Sequence, residues 1–157
     1  MGFFDFFRRN KKVVQVSEED RQQFAEEMSA NAGLLVKQFR DDTVLDFSVH
    51  SLYEVDQIIE DSVEFYKKAD SDTKRKMIIK IGAYVFEVAR TNFGGQYYWY
   101  DRLEQPVLVT GQPEFEMSLL AYEKVKGRFE NGQEDNIPFF FEGYVRGVKD
   151  KASQMIV

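Results

Sequence analysis

The sequence predicts a predominantly helical α+β domain, with about five helices gathered around one central apolar helix and a single β-hairpin. Three observations carry this. Apolar residues recur at helical spacing through most of the chain; one segment, 77–93, is apolar around most of its circumference; and the spacing becomes strand-like only between Gln96 and Thr110.

The first helix is expected over Glu18–Arg40. Ser17 supplies an N-cap hydroxyl and Glu18, Glu19 and Asp20 place carboxylates at the positive helix end, while Phe24, Met28, Ala32, Leu35 and Phe39 fall on one face. Residues 41–47 break the pattern. Ser48 reads as the cap of a second helix reaching Lys68, with Leu52, Val55, Ile59, Val63 and Tyr66 on its apolar side and Glu54, Gln57, Asp61, Glu64 and Lys68 opposite.

Asp70, Ser71 and Asp72 precede the central helix. Its broad apolar face runs through Met77, Ile81, Tyr84, Val85, Val88 and Ala89, leaving a polar stripe of Lys76, Lys80, Glu87 and Arg90. Gly94 and Gly95 end it. The hairpin follows: Tyr97, Tyr98, Trp99 and Tyr100, then Pro106 and Val107–Thr110. Two more helices are expected, over Glu114–Glu130 and Asp135–Lys149. We read residues 1–16 as an amphipathic or flexible N-terminal segment and 17–157 as one globular domain.

Composition narrows the functional classes. The chain of 157 residues has no cysteine, which removes disulfides, thiolate metal sites and cysteine nucleophiles and agrees with a reducing, cytoplasmic setting. A net charge of −6 opposes binding to nucleic acid, whose affinity rests on cationic groups that displace counterions. Residues 1–12 differ from the rest: they carry a net +3, leaving −9 elsewhere. On a short helix Phe3, Phe4, Phe6 and Phe7 would lie opposite Arg8, Arg9 and Lys12, a pattern suited to weak contact with an anionic membrane surface.

Few residues invite a catalytic reading. His50 is the only histidine and falls in the first turn of a predicted helix, where polar residues serve capping and solvation. Asp61 and Glu64, with Glu60 beside them, are spaced to share a divalent cation, but no second helix offers a companion motif, so the expectation is a solvated acidic face. Glu87 lies in an apolar helix, and Arg90 three residues on is an ordinary ion-pair partner. Gly94 and Gly95 follow a helix and open a strand, the reverse of a phosphate loop.

Leu45–Leu52 (LDFSVHSL), Gly82–Arg90 (GAYVFEVAR), Asn92–Gly95 (NFGG) and Asn131–Asp135 (NGQED) resemble a family of small, uncharacterised bacterial proteins. The likeness covers about residues 44–145. It implies a bacterial cytoplasmic protein of the kind expected to act as an immunity or interaction partner, and no activity. The family pattern has glycine before the glutamate where this chain has Phe86, which argues against a small-molecule site beside Glu87.

The expected function is therefore a non-enzymatic binding or regulatory protein without a cofactor, whose partner is another protein. Tyr97, Tyr98, Trp99, Tyr100 and Glu87 are the candidate binding residues. The alternatives are an enzyme using Asp61, Glu64 and Glu87 around a divalent ion, and a peripheral membrane protein using Phe3, Phe4, Phe6, Phe7, Arg8 and Arg9.

Overall fold

The structure, a computed structural model, describes residues 13, 14 and 16–157. Among them are five α-helices and a five-stranded sheet, the predominantly helical α+β architecture that the periodicity predicts. Helix α1 spans Glu18–Gln38, and the Ser17 hydroxyl accepts the Asp20 N–H at 3.1 Å, so the cap and the acidic first turn work as the sequence implies. Met28, Ala32 and Leu35 are its buried residues.

The next helix starts more tightly than expected. Ser48 caps a 3₁₀ turn, Val49–Ser51, through a 3.1 Å bond from the Ser51 N–H, and helix α2 runs from Leu52 to Lys68. The connector ahead of it is fixed by helix α3, Ser71–Phe93. There the Tyr84 hydroxyl accepts the Phe47 N–H at 2.9 Å and bonds the Ser51 hydroxyl at 2.7 Å, and the Asn92 amide donates to the Phe47 carbonyl at 2.9 Å. The Phe47 ring stacks on Tyr84 at 4.8 Å. Phe47 adopts a left-handed φ of 62°, which a bulky residue holds only where its surroundings over-determine it.

Helix α3 is the centre of the fold. The Asp70 carboxylate caps it by accepting the Thr73 N–H at 2.8 Å, and nine successive residues, Ile81–Ala89, are buried. An amphipathic helix buries one stripe; one buried all round must pack on several sides, and α3 meets α1 along one flank and helix α4, Ala121–Asn131, along another. Gly82 permits the second approach, since a Cβ there would stand 2.3 Å from the Tyr122 ring.

After α3 the chain turns through Gly94 and Gly95, with φ of 76° and 129°. The hairpin of strands β2, Gln96–Tyr100, and β3, Gln105–Thr110, forms the middle of the sheet, with Tyr97 opposite Leu108 and Trp99 opposite Pro106. Strand β1, Val13–Val14, lies antiparallel to β2; β4, Met117–Leu119, antiparallel to β3; and β5, Gln154–Ile156, parallel to β4. One sheet face, with Tyr97, Leu108, Met117 and Leu119, joins the main helical core. On the other, Tyr98, Tyr100, Val107, Val109 and Leu120 make a smaller buried cluster flanked by Val16 and Met155.

The helix expected over Glu114–Glu130 is corrected. Phe115–Ala121 is buried at every position, β4 occupies its middle, and the helix starts only at Ala121. A short apolar run covered on both faces has no period to separate strand from helix. Gly132, at φ 83°, ends α4. Helix α5, Ile137–Lys149, begins two residues later than expected, after Asn136, whose side-chain oxygen accepts the Phe139 N–H at 3.0 Å.

Arg128 ties α4 to α2 and to the start of α5. Its fully buried guanidinium donates to Asp56 at 3.0 and 3.2 Å and to Glu60 at 2.7 Å, and Asp56 also accepts the Ile137 N–H at 3.0 Å. No helix among the described residues is long and apolar enough to cross a membrane.

Candidate binding groove

The hairpin aromatics divide between core and surface. Tyr97, Tyr98 and Tyr100 are buried, at 1, 2 and 7 % exposure, and of the four only Trp99 reaches a solvent-open surface. Strand geometry alone would send alternate residues to opposite faces and leave one pair outward; here both faces of the strand are covered. The Tyr98 hydroxyl bonds Gln96 and Gln112, and Arg21 lies over its ring at 5.4 Å.

Glu87 is buried, 4 % exposed, which corrects the picture of an open polar stripe. Its pairing with Arg90 holds, through Nε and Nη2 at 2.7 Å each, and a third bond comes from the Tyr97 hydroxyl at 2.8 Å. The bonds to Glu87 hold the Arg90 guanidinium above its ordinary pKa, while burial, reinforced by the Glu87 charge, pushes the Tyr97 hydroxyl well up. All the carboxylate oxygens are engaged, so the arrangement joins α3 to the sheet.

The carboxylates of α2 go to separate partners. Asp61 accepts from Gln57 at 2.9 Å, Glu64 pairs with Lys67 at 3.5 Å, and Glu60 turns to Arg128. No group of three or more His, Asp or Glu residues able to hold a metal ion occurs among the described residues. His50 is exposed beside the Tyr53 ring, at 5.4 Å. Phe3, Phe4, Phe6, Phe7, Arg8 and Arg9 lie outside the described residues.

Trp99 instead opens onto a groove of about 640 Å³ between α1, α3, α4 and the far end of the hairpin. Its indole stacks against Phe24 of α1 at 6.2 Å and 22°, and Ile78 of α3 and Tyr122 of α4 continue the apolar wall. The Tyr122 hydroxyl has a weak partner, the Met28 sulfur at 3.4 Å, and burial pushes its pKa well up, so it stays a neutral donor.

Charged groups border this wall, Glu27, Glu104, Glu123 and Glu130 together with Lys74, Arg75 and Lys126. Where the hairpin closes, Glu104 and Glu123 flank Gln105, which is 5 % exposed and donates its amide N–H to Glu123 at 3.3 Å. Where α3 begins, Lys74, Arg75 and, from α4, Lys126 line the groove; none makes a salt bridge among the described residues. Lys74 sits over the Tyr66 ring at 5.2 Å, and the Tyr66 hydroxyl donates to Glu130 at 3.4 Å.

Volume, an aromatic lining and a few polar groups make this a binding geometry. Sequence reasoning picked out Trp99 but missed the residues that complete the groove. Phe24 and Tyr66 read only as core positions, and Lys74, Arg75, Tyr122 and Gln105 carried no signal beyond a polar residue beside Pro106 in an otherwise apolar strand. Comparison of the chain with protein-family models, with curated proteins and with solved structures finds no match.

Proposed function

We propose that this chain is a non-enzymatic binding protein that recognises a partner protein through the groove beside Trp99. The observation that supports this reading most is the half-exposed Trp99, stacked on Phe24 in a solvent-open cleft whose lining includes three basic residues that make no salt bridge among the described residues. Aromatic anchors with such surroundings carry most of the affinity at protein interfaces. The acidic composition supports a protein over a nucleic acid as partner. The resemblance of the LDFSVHSL and GAYVFEVAR segments supports a bacterial origin, and the lack of cysteine supports a cytoplasmic setting.

The test is affinity capture with the natural chain and with Trp99→Ala side by side, followed by titration of the captured protein. One stoichiometric partner is expected, with affinity reduced by more than about fivefold in the variant, equivalent to roughly 1 kcal/mol. A partner bound equally well by a folded Trp99→Ala chain would remove the groove from the interface.

A further inference from the structure

The sheet has two covered faces, and helices cover only one of them. Each of the five helices places buried apolar side chains in the main core, on the face that carries Tyr97, Leu108, Met117 and Leu119. The smaller cluster on the other face, Tyr98, Tyr100, Val107, Val109 and Leu120, takes no member from a helix. Among the described residues the apolar side chains packed against it are Val16 and Met155, both only partly buried, and the Arg21 guanidinium lies over the Tyr98 ring at 5.4 Å.

A sheet packed on one side ordinarily leaves its other face to water. This one does not: Val107, Val109 and Leu120 are fully buried, and Tyr98 and Tyr100 nearly so. Val16 and Met155 stand at the two edges, beside β1 and on β5, whereas Val107 and Val109 belong to β3 in the middle of the sheet. Two edge residues do not keep water from a central strand. The burial is reached within a single chain, and the residues that remain to supply it are 1–12 and 15.

We infer that residues 1–12 lie across this face of the sheet and close it. Position, reach and chemistry agree on the occupant. Val13 pairs with Tyr100 and Val14 with Trp99, so residue 12 adjoins the sheet beside the strand that holds Tyr98 and Tyr100. Crossing from β1 to β5 takes four inter-strand steps, about 19 Å, while twelve residues reach about 18 Å as a helix and up to about 40 Å extended. Phe3, Phe4, Phe6 and Phe7 offer apolar rings to a floor of tyrosine, valine and leucine. The segment's net +3 complements Glu116, which is fully buried two positions before Ser118, the partner of Val109 in the register of this face. The phenylalanines are then committed to the domain, and the membrane contact that the same pattern suits does not form. Trp99 points to the opposite side of β2, so the cover and the groove are separate features.

Photocross-linking in the full-length chain tests the placement. p-Benzoylphenylalanine replaces Phe3, Phe4, Phe6 and Phe7 in turn, and the links formed on irradiation are mapped by mass spectrometry. At least one position is expected to join Tyr98, Tyr100, Val107, Val109 or Met155 of its own chain. Links confined to Phe24 or Tyr122 in the groove, links formed only between two chains, or no link to this face from any of the four positions would overturn the inference.

A second measurement reads the cover's contribution. The full-length variant Phe3→Ser, Phe4→Ser, Phe6→Ser, Phe7→Ser should lose more than about 5 °C in Tm and bind the dye ANS severalfold more strongly, because it opens an apolar face. An unchanged Tm with unchanged dye binding overturns the proposal, and if this variant does not fold the cross-links still decide. The natural chain should stay in solution with phosphatidylserine vesicles at low salt. Pelleting of the natural chain that the quadruple variant does not share would assign the phenylalanines to a lipid surface and overturn the cover.

Discussion

Glu87→Gln keeps the side chain's shape and removes its charge from a site that is 4 % exposed. The carboxylate accepts three hydrogen bonds, two from Arg90 at 2.7 Å and one from Tyr97 at 2.8 Å. With its oxygen placed at the present Oε2, a carboxamide keeps the bonds from Arg90 Nε and Tyr97. Its NH₂ then faces the Nη2 donor, and that bond is lost. One charge-assisted hydrogen bond contributes about 1.5–3 kcal/mol. The Arg90 side chain is 39 % exposed, so water takes over part of its solvation and the lower half of that range applies. The expected loss is about 2 kcal/mol, or roughly 4–8 °C in Tm for a chain of this size. Glu87→Ala goes further, because it strands the buried Tyr97 hydroxyl, adding about 1–3 kcal/mol. Tyr97→Phe alone leaves Glu87 paired with Arg90 and should cost about 1 kcal/mol. Urea melts of these variants and of the double variant Glu87→Ala, Tyr97→Phe complete a cycle, with an expected coupling of at least about 0.5 kcal/mol. A Glu87→Gln chain within about 0.5 kcal/mol of the natural one, or additive single changes, would show that this buried contact does not hold α3 to the sheet.

Three further outcomes follow from the packing. Gly82→Ala places a methyl 2.3 Å from the Tyr122 ring, so it should destabilise by about 1–3 kcal/mol and alter Trp99 emission as Tyr122 shifts in the shared groove; an unchanged melt and spectrum would contradict the close α3–α4 approach. Arg128→Ala should cost about 3–5 kcal/mol in denaturant melts, because it leaves Asp56, 7 % exposed, charged without its guanidinium; a loss below about 1 kcal/mol would show that the Ile137 N–H and the Asn136 amide suffice. Asp135 is held below the usual carboxylate range by its bonds from Lys124 and Asn131, so it stabilises the fold above its unfolded-state pKa and less as pH falls through the lower folded value. Asp135→Asn should therefore lose up to about 1 kcal/mol at neutral pH and converge with the natural chain in acid, and a difference independent of pH would refute the ion-pair account.

The parts of the fold legible in the sequence are those where a local signal agrees with the tertiary environment. Ser17 and Asp70 cap the helices they precede, and the apolar circumference of residues 81–89 corresponds to a helix covered on several sides. Residues 115–120 failed for the opposite reason: burial on both faces erases the alternation that marks a strand, and Phe115, Leu119 and Tyr122 also fit a helical period. Strand β5 is three residues long and pairs with β4 from a distant part of the chain, which no local pattern encodes. For the groove, Trp99 was legible as a hairpin aromatic. That Tyr97, Tyr98 and Tyr100 would be covered depends on packing against both sheet faces, and the Gln105–Glu123 contact depends on how α4 meets the hairpin.

The clasp on Phe47 bears on how the molecule opens. A connector between two helices ordinarily exchanges its amide hydrogens through small local fluctuations, independently of the elements it joins. Here the Phe47 amide is donated to a hydroxyl rooted in the most buried stretch of α3, and its carbonyl is held by Asn92, one residue from the helix end. Releasing that amide breaks its bond to the fully buried Tyr84 and unstacks the Phe47 ring from it. In native-state hydrogen exchange the Phe47 amide should therefore be protected to nearly the same free energy as the central helix. Phe47 and Ser51 would then open together with the central helix and not as an independent loop.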